Sequence, residues 1–258
     1  MADWNPALYL RFAQERTRPA SDLLARVEHT GPTRVVDLGC GPGNSTELLV
    51  QRFPQAHVLG VDNSAAMLTQ ARERLPDLAF DQADIADWAP SQAPDLIYAN
   101  AALQWVGGHV QLIPRLFAAL APGGVLAVQM PDNFNEPSHR LMREVAALPQ
   151  FAPHIDAKVA AGRAILGIHD YYDLLAPLAR QVDVWHTIYQ HPMADAHAIV
   201  QWLRSTGLKS FVDPLPEALQ SAFLEEFERR VAQAYSPRAD GLRLLAFPRL
   251  FIVAKRAP

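Results

Sequence analysis

Three glycines at alternate positions, Gly39, Gly41 and Gly43, follow a β-branched run that ends in an acid, Val35-Val36-Asp37. The segment from Asn44 to Arg52 comes next and reads as a helix with Leu48 and Leu49 inward. Glycine takes positive φ without steric cost and lets a ligand approach the backbone where a Cβ would collide. Strand, tight turn and helix N-terminus in that order predict a turn built to hold a small molecule. Its candidate binding residues are Asp37, Gly39, Cys40, Gly41 and Asn44.

Two ligand classes fit such a turn, and the acids downstream help to choose between them. The dinucleotide fingerprint wants its third glycine where Asn44 stands. His57 to Asp62 reads as a second strand ending in an acid, and Asn63-Ser64 caps a helix running from Ala65 towards Leu75. A carboxylate at Asp62 can accept both hydroxyls of a ribose, with Asn63 beside it. Asp84, beyond a third short strand in Phe80 to Ile85, can accept the exocyclic amine of adenine, and Ile85 and Met67 can sandwich the ring. Asp95 to Asn100 is a fourth strand with Asn100 and Ala101 at its carboxyl end, and Ala121-Pro122-Gly123-Gly124 turns into a fifth, Val125 to Met130.

This ordered set, spanning roughly residues 34 to 130, resembles the class I S-adenosylmethionine-dependent methyltransferases. The resemblance implies an α/β, Rossmann-like fold: a seven-stranded, mostly parallel sheet with helices on both faces and a helical cap. It also implies S-adenosylmethionine as cofactor and S-adenosylhomocysteine as product. A nucleotide-dependent oxidoreductase would reuse the same sheet, and no sequence rule excludes a cofactor-binding protein without activity. Further segments widen the likeness: the arm from Trp4 to Pro19, Ala99 to Trp105, Val128 to Asn133, Tyr171-Tyr172-Asp173 and Ala246 to Ala254. Together with the glycine turn they are similar to the family of trans-aconitate methyltransferases, from Asp3 to Arg256. That likeness implies transfer of a methyl group to one carboxylate of a tricarboxylic acid, giving a monomethyl ester. Gly207-Leu208-Lys209-Ser210 departs from the Gly-Leu-Arg-Pro expected there, and lysine keeps the charge but loses the planar fork of arginine.

At 258 residues the chain can bury a substantial core without staples. Strand-helix alternation without a low-complexity linker predicts a single domain: amino-terminal cap helices over 1–30, a cofactor-binding core over 31–132, and a substrate cap with the last strands over 133–258. A net charge of −4 and a pI near 6.1, with no basic run, argue against nucleic acid as a partner. The amino terminus lacks the basic and apolar blocks of a signal peptide, and no apolar stretch is long enough to cross a bilayer, so a cytoplasmic location is expected. Cys40, the one cysteine, reads either as a nucleophile or as a small side chain filling a crowded turn. His186, His191 and His197, five and six residues apart, fit no zinc spacing, so no metal is expected.

The methyl acceptor must be held outside the glycine-turn half. A carboxylic acid of pKa about 4 is ionised at neutral pH, so its oxygen is already the nucleophile and no residue is needed as acid or base. Catalysis then rests on alignment and exclusion of water. The reacting carboxylate loses charge, so strong cations belong on the carboxylates that stay charged. Arg16, Arg18, Arg143, Arg204 and Arg249 are the candidates, each offering a two-point fork. Trp105 would wall the cavity, and Gln129 or Tyr9 could donate to a substrate oxygen.

In the arm, Asn5 and Pro6 predict a helix start and Pro19 its end, with Tyr9, Phe12 and Arg16 on one face. That face reads as an aromatic pair over a cation, or as a docking helix with a solvated arginine. Val182 to Tyr189 alternates like a strand, and Ala194 to Arg204 and Glu217 to Ala234 read as helices, the latter with an inward stripe of Phe223, Phe227, Val231 and Ala234. Ser236 to Gly241 is a turn and Leu250 to Ala254 a last strand, so a helical insertion between the sixth and seventh strands is expected to roof the substrate cavity.

Overall fold

A computed structural model of the protein describes residues 13–161, 165–204 and 206–258, with 13–16 described by backbone alone. The described elements run α1 (Ala13–Ala25), β1 (Arg34–Leu38), α2 (Asn44–Arg52), β2 (His57–Asp62), α3 (Ala65–Arg74), β3 (Ala79–Gln82) and β4 (Leu96–Asn100). They continue through α4 (His109–Ala118), β5 (Val125–Pro131), α5 (Pro137–Ala146), α6 (Ala157–Ala161), α7 (Ile168–Leu175) and β6 (Gln181–Met193). α8 (Ala196–Arg204), α9 (Lys209–Val212), α10 (Glu217–Ala234) and β7 (Arg243–Lys255) complete the chain.

The seven strands form one sheet in the order β3-β2-β1-β4-β5-β7-β6. β1 pairs parallel with β2 and β4, β2 with β3, and β4 with β5. The chain steps outward from β1 to β3 and then returns to β4 on the other side of β1. Right-handed crossovers therefore put α2 and α3 on one face and α4 on the other. The reversal between β1 and β4 is the switch point at whose carboxyl ends ligands bind in open sheets of this kind. β4 and β5 are apolar nearly throughout, the pattern of strands covered on both faces. Within the sheet, Gly60 faces Phe80 in register, and a Cβ on that glycine would lie 2.5 Å from the phenyl ring.

The chain divides into two compact units: the described residues up to Pro131 with Leu166–His186 and Leu250–Pro258, and the described residues of Asp132–Ile165 with Thr187–Arg249. The second unit thus draws on the segment after β5 as well as on the expected insertion between β6 and β7. Its core is made of α5, α8 and α10, with Phe223, Phe227 and Val231 fully buried and Phe151 edge-on to Phe223 at 5.1 Å. Among the described residues no helix is long and apolar enough to cross a membrane.

Three expectations are corrected. Pro19 does not end the first helix; α1 passes through it to Ala25. A proline inside a helix costs about 3 kcal/mol. That cost is offset because Ala20, Leu23 and Leu24 are buried and the Tyr98 hydroxyl, inside the sheet, donates to the Ala20 carbonyl at 2.6 Å. The stripe on α10 stops at Val231: Ala234 is exposed, and Tyr235 takes the inward place. Strands β6 and β7 are longer than their apolar patterns suggest. Each contains a proline, Pro192 and Pro248, which lowers the strand signal in the sequence.

The α1–β4 contact yields a stability prediction. Tyr98→Phe removes a donor that reaches the proline-containing helix from the sheet, and is expected to cost about 1 kcal/mol. Urea unfolding read at a probe in the first unit checks it, and an unchanged midpoint would mean that apolar packing alone holds the helix.

Candidate functional site

The glycine turn is the floor of the candidate site. Gly39, Gly41 and Gly43 all have positive φ, at 73°, 54° and 89°. They serve different purposes. A Cβ on Gly39 would sit 2.2 Å from the Ala102 Cβ, so this glycine lets the loops after β1 and β4 touch. Gly43 precedes the first turn of α2 as its left-handed cap. Among the described residues, a Cβ on Gly41 would meet nothing within 4 Å, so the turn is open there.

Asp37 lies fully buried under this turn and accepts from both Ser45 Oγ and Thr46 Oγ1 at 2.7 Å through one oxygen, Oδ2. Burial raises its pKa to about 6; the hydroxyls of Thr46 and Ser45 pull it down, and the charge of Asp62 adds to the rise. Cys40 packs with Leu68, Ala71 and Phe80. Burial and the charges of Asp37 and Asp62 push its thiol well above the ordinary range, so it stays protonated and fills space.

Asp62 ties two chain segments to the turn: Oδ2 accepts from Gly41 N and Oδ1 from Ser64 N, both at 2.9 Å. Each carboxylate oxygen keeps a second acceptor direction. Ser64 caps α3, accepting from Met67 N at 3.4 Å, and Met67 is 39% exposed on that helix. Asp84 is exposed on the loop after β3 and accepts from Ala86 N at 2.8 Å, while Ile85 is buried with its Cδ1 3.5 Å from the Cβ position of Gly39. Asn63 is exposed, and its carbonyl accepts from Gln82. Asn44 is turned to Arg74, which donates to its Oδ1 at 2.6 Å.

At the ends of β4 and β5, Asn100 and Gln129 stand side by side in register. Among the described residues, Asn100 Oδ1 and both amide atoms of the fully buried Gln129 have no hydrogen-bond partner, and neither has Asp37 Oδ1. Buried polar atoms are nearly always paired, so each of these atoms has capacity left for a polar partner. Ala101 is the one non-glycine residue with positive φ among those described, at 53°. It is held by its N–H on the Gln129 carbonyl at 2.9 Å and by Gln104 Nε2 on its own carbonyl at 2.6 Å. Trp105 follows in a short turn and is 77% exposed. The turn is pinned by His109, whose ring nitrogens lie 2.9 Å from the Leu103 carbonyl and 2.5 Å from the Tyr171 hydroxyl.

The second unit holds three of the candidate arginines. Arg143 donates to the carbonyls of His139 and Phe134 and lies 3.8 Å over the Phe134 ring. Arg204 is ion-paired with Asp213 at 2.6 Å. Arg249 is buried, 4.7 Å over Phe247. The same Phe247 ring meets His139 and His191, each at 6.1 Å, and Trp202 at 6.3 Å. This aromatic cluster escaped the sequence reading. Its signal was the inward row Tyr189, His191 and Met193, which extends the strand past the point where its alternation was recognised. Arg18, on α1, is exposed and 3.8 Å from Asp22. Tyr9 lies outside the described residues, and of Arg16 only the backbone position in α1 is described.

A methyltransferase-domain family model matches residues 35–124. The trans-aconitate 2-methyltransferase of Paracidovorax citrulli is 68% identical over 259 residues, with both chains fully covered. The trans-aconitate 2-methyltransferase of a Yersinia pestis strain is 56% identical, covering 98% of each chain. Among solved structures, the YcgJ protein of Bacillus subtilis superposes with a TM-score of 0.60 at 12% identity, covering 93% of this chain and 99% of its own. An N-methyltransferase of Haemonchus contortus, solved with S-adenosylhomocysteine, does so with a TM-score of 0.57 at 15% identity, covering 93% of this chain and 53% of its own. These two likenesses are of fold.

The burial of Asp37 sets a pH dependence. An exposed aspartate releases its proton near pH 4, whereas in the folded chain Asp37 keeps it to about pH 6. The folded state therefore binds more protons between these values, and the stability this group contributes is full below pH 4 and lost as pH rises through 6. Asp37→Asn, which retains an acceptor for Ser45 and Thr46, should flatten the fall in stability across this window. Chemical unfolding at pH 4, 5, 6 and 7 checks it.

Proposed function

The chain belongs to the trans-aconitate 2-methyltransferase family, and on that premise we propose that it transfers the methyl group of S-adenosylmethionine to a carboxylate of trans-aconitate. The products are the monomethyl ester and S-adenosylhomocysteine. The observation that carries the reading is the convergence, at the switch point, of an open glycine turn with buried polar atoms that lack partners: Asp37 Oδ1, Asn100 Oδ1 and the amide of Gln129. A nicotinamide-dependent oxidoreductase would want a glycine at Asn44, and that residue is engaged with Arg74.

The residues present fit the cofactor. Asp62 has acceptor capacity left for ribose hydroxyls beside the open backbone of Gly41. Asp84 offers an acceptor for the adenine amine, with Ile85 and Met67 as apolar contacts, and Asn63 and Ala101 flank the same loops. When bound, the sulfonium supplies an electrophilic methyl group. Every other requirement falls to the chain. The acid arrives already ionised, so the protein has no proton to move. It must align the nucleophilic oxygen with the methyl carbon and sulfur, which is worth on the order of 7–11 kcal/mol. Gln129 and Asn100 suit the reacting carboxylate because a neutral amide donor does not oppose its loss of charge. The spectator carboxylates keep their charge, and Arg249 and Arg143 in the second unit are proposed to hold them, with Arg18, Arg16 and Tyr9 as further contacts from the amino-terminal arm. Arg204 is a weaker claim, since Asp213 already occupies it. The reading brings with it a small tricarboxylate as partner, neither nucleic acid nor membrane, and a cytoplasmic location.

A radiolabelled methyl-transfer screen over di- and tricarboxylic acids tests the reaction, with trans-aconitate expected to be the best acceptor. Two variants test the roles. Asp62→Ala should weaken S-adenosylhomocysteine about tenfold or more by calorimetry, since an acceptor for buried donors is worth roughly 1–3 kcal/mol. An analogue without ribose hydroxyls should bind both proteins alike; equal losses for the two ligands would reduce Asp62 to a turn anchor. Arg249→Ala should raise KM for trans-aconitate about tenfold or more while leaving the affinity for S-adenosylmethionine unchanged. An unaltered KM would move the clamp to Arg18 or Arg143.

A further inference from the structure

Arg115 stands in the last turn of α4, where an arginine ordinarily serves the carbonyls of its own helix end. Here its donors go elsewhere. The guanidinium donates to the carbonyls of Ile85 and Ala86, each at 2.8 Å, and to that of Trp88, all 27 to 30 residues earlier in the chain. These carbonyls belong to one tight turn after β3. The Asp84 carbonyl accepts from Asp87 N at 3.2 Å and from Trp88 N at 2.8 Å, and Asp84 Oδ1 accepts from Ala86 N at 2.8 Å. Asp84 therefore caps the turn with its own side chain, as an N-cap residue does. Carbonyls directed to one side repel one another, and the planar fork of a guanidinium can supply donors to all three together. α4 is held without this contact: Leu112, Ile113, Leu116 and Phe117 are buried along it, and His109 at its start is fixed between the Leu103 carbonyl and the Tyr171 hydroxyl. What the contact holds is the turn.

We propose that Arg115 is a positioning residue for the cofactor's adenine, holding the turn from Asp84 to Trp88 so that Asp84 meets the exocyclic amine and Ile85 lines the ring. The proposal rests on the reading of Asp84 and Ile85 as adenine contacts, and adds to it the group that sets their direction. Asp84 is exposed while its neighbour Ile85 is buried, so the two roles require the turn to face one way only. Apolar anchors fix where the turn lies. Ile85 Cδ1 comes within 3.5 Å of the Cβ position of Gly39, which brings the turn to the edge of the glycine loop, and Trp88 is buried at the other end. Two anchors still leave a segment free to pivot about the line that joins them. The hydrogen bonds from Arg115 to the carbonyls of Ile85, Ala86 and Trp88 stop that pivot. A carboxylate that is to recognise one amine must be held to within about 0.5 Å by such supporting contacts. The selectivity for an amino purine would then be set on α4, by a side chain that touches no ligand.

Calorimetry of the full chain with S-adenosylhomocysteine and with its inosine analogue, whose purine carries a carbonyl in place of the amine, tests this. Urea unfolding reports on the fold. The wild-type chain should bind the adenosyl ligand about tenfold or more tightly than the inosyl one, and Asp84→Asn should bring the two within about threefold. Arg115→Met keeps the apolar stem and removes every donor. It should narrow the preference as Asp84→Asn does, although Asp84 is still present, with the adenosyl ligand weakened about tenfold and the inosyl one far less. Arg115→Lys, which keeps the charge without the fork, should fall between the wild-type chain and Arg115→Met. A wild-type preference in Arg115→Met overturns the proposal, whether both affinities are kept or both fall together, because an arginine that served stability alone would spare the ratio. Should Arg115→Met show no unfolding transition, Arg115→Lys decides, and a wild-type ratio there overturns the proposal. If Asp84→Asn keeps the wild-type ratio, the adenine lies elsewhere, and the proposal falls with the reading it rests on.

Discussion

The contact between Gly39 and Ala102 is the constraint on which the rest of the site depends. With 2.2 Å between a Cβ at residue 39 and the Ala102 Cβ, no side chain fits there, and any that did would push the loop after β4 off the turn after β1. The closeness fixes more than two residues. Ala101, directly before the contact, is forced to a φ of 53°, which for an alanine costs roughly 1–2 kcal/mol. The hydrogen bonds on its N–H and C=O hold it there. Asn100, Ala101 and Gln129 then have fixed positions relative to the open backbone at Gly41. The geometry of the switch point is thus stored in one missing methyl group and one strained residue.

Around that contact the chain concentrates negative charge and then restrains it. Asp37 and Asp62 lie close enough that each raises the proton affinity of its neighbours, as the pKa of Asp37 and the thiol of Cys40 both register. Asp37 is answered by two hydroxyls at the start of α2, where the helix end also favours a negative group. Asp62 is answered by two backbone amides from different loops. One acid therefore stiffens the turn from below and the other bridges it sideways, and the field they leave over the glycines is negative. A cationic sulfonium approaching this floor would find it favourable.

How much of this was legible in the sequence follows from the range of the forces involved. The glycine turn, the cap at Ser64 and the five parallel strands are set by local sterics and short periodicities, and they could be read directly. Gln129 was within reach of the sequence as a polar side chain at the end of the fifth strand. Pro19 misled because its local cost was real, while the compensating hydrogen bond comes from Tyr98, 78 residues away in sequence from its acceptor. Asp62 was expected to accept ribose hydroxyls, and in the structure it accepts from two backbone amides, a partnership that depends on how two loops meet. The cluster around Phe247 joins α5, β6, α8 and β7, so no window of sequence contains it. Histidine spacing, tested only against metal geometry, gave no sign of it.

The roles proposed for the amides and for the arginines follow one electrostatic logic. Methylation converts a carboxylate into an ester, so a guanidinium bound to the reacting group would stabilise the starting state more than the transition state and raise the barrier. An amide donor has a smaller preference between the two, which suits Gln129 and Asn100 to the reacting oxygen. The other carboxylates begin and end charged, so a strong ion pair there is neutral towards the chemical step and contributes only binding and alignment. The cost appears in stability: a buried amide atom without a partner among the described residues forgoes about 1–3 kcal/mol. Neutral amide donors for the reacting carboxylate and guanidinium groups for the others are the division of labour that the proposed roles assign. A protein that had to generate its nucleophile by removing a proton would need a titratable base beside those amides instead.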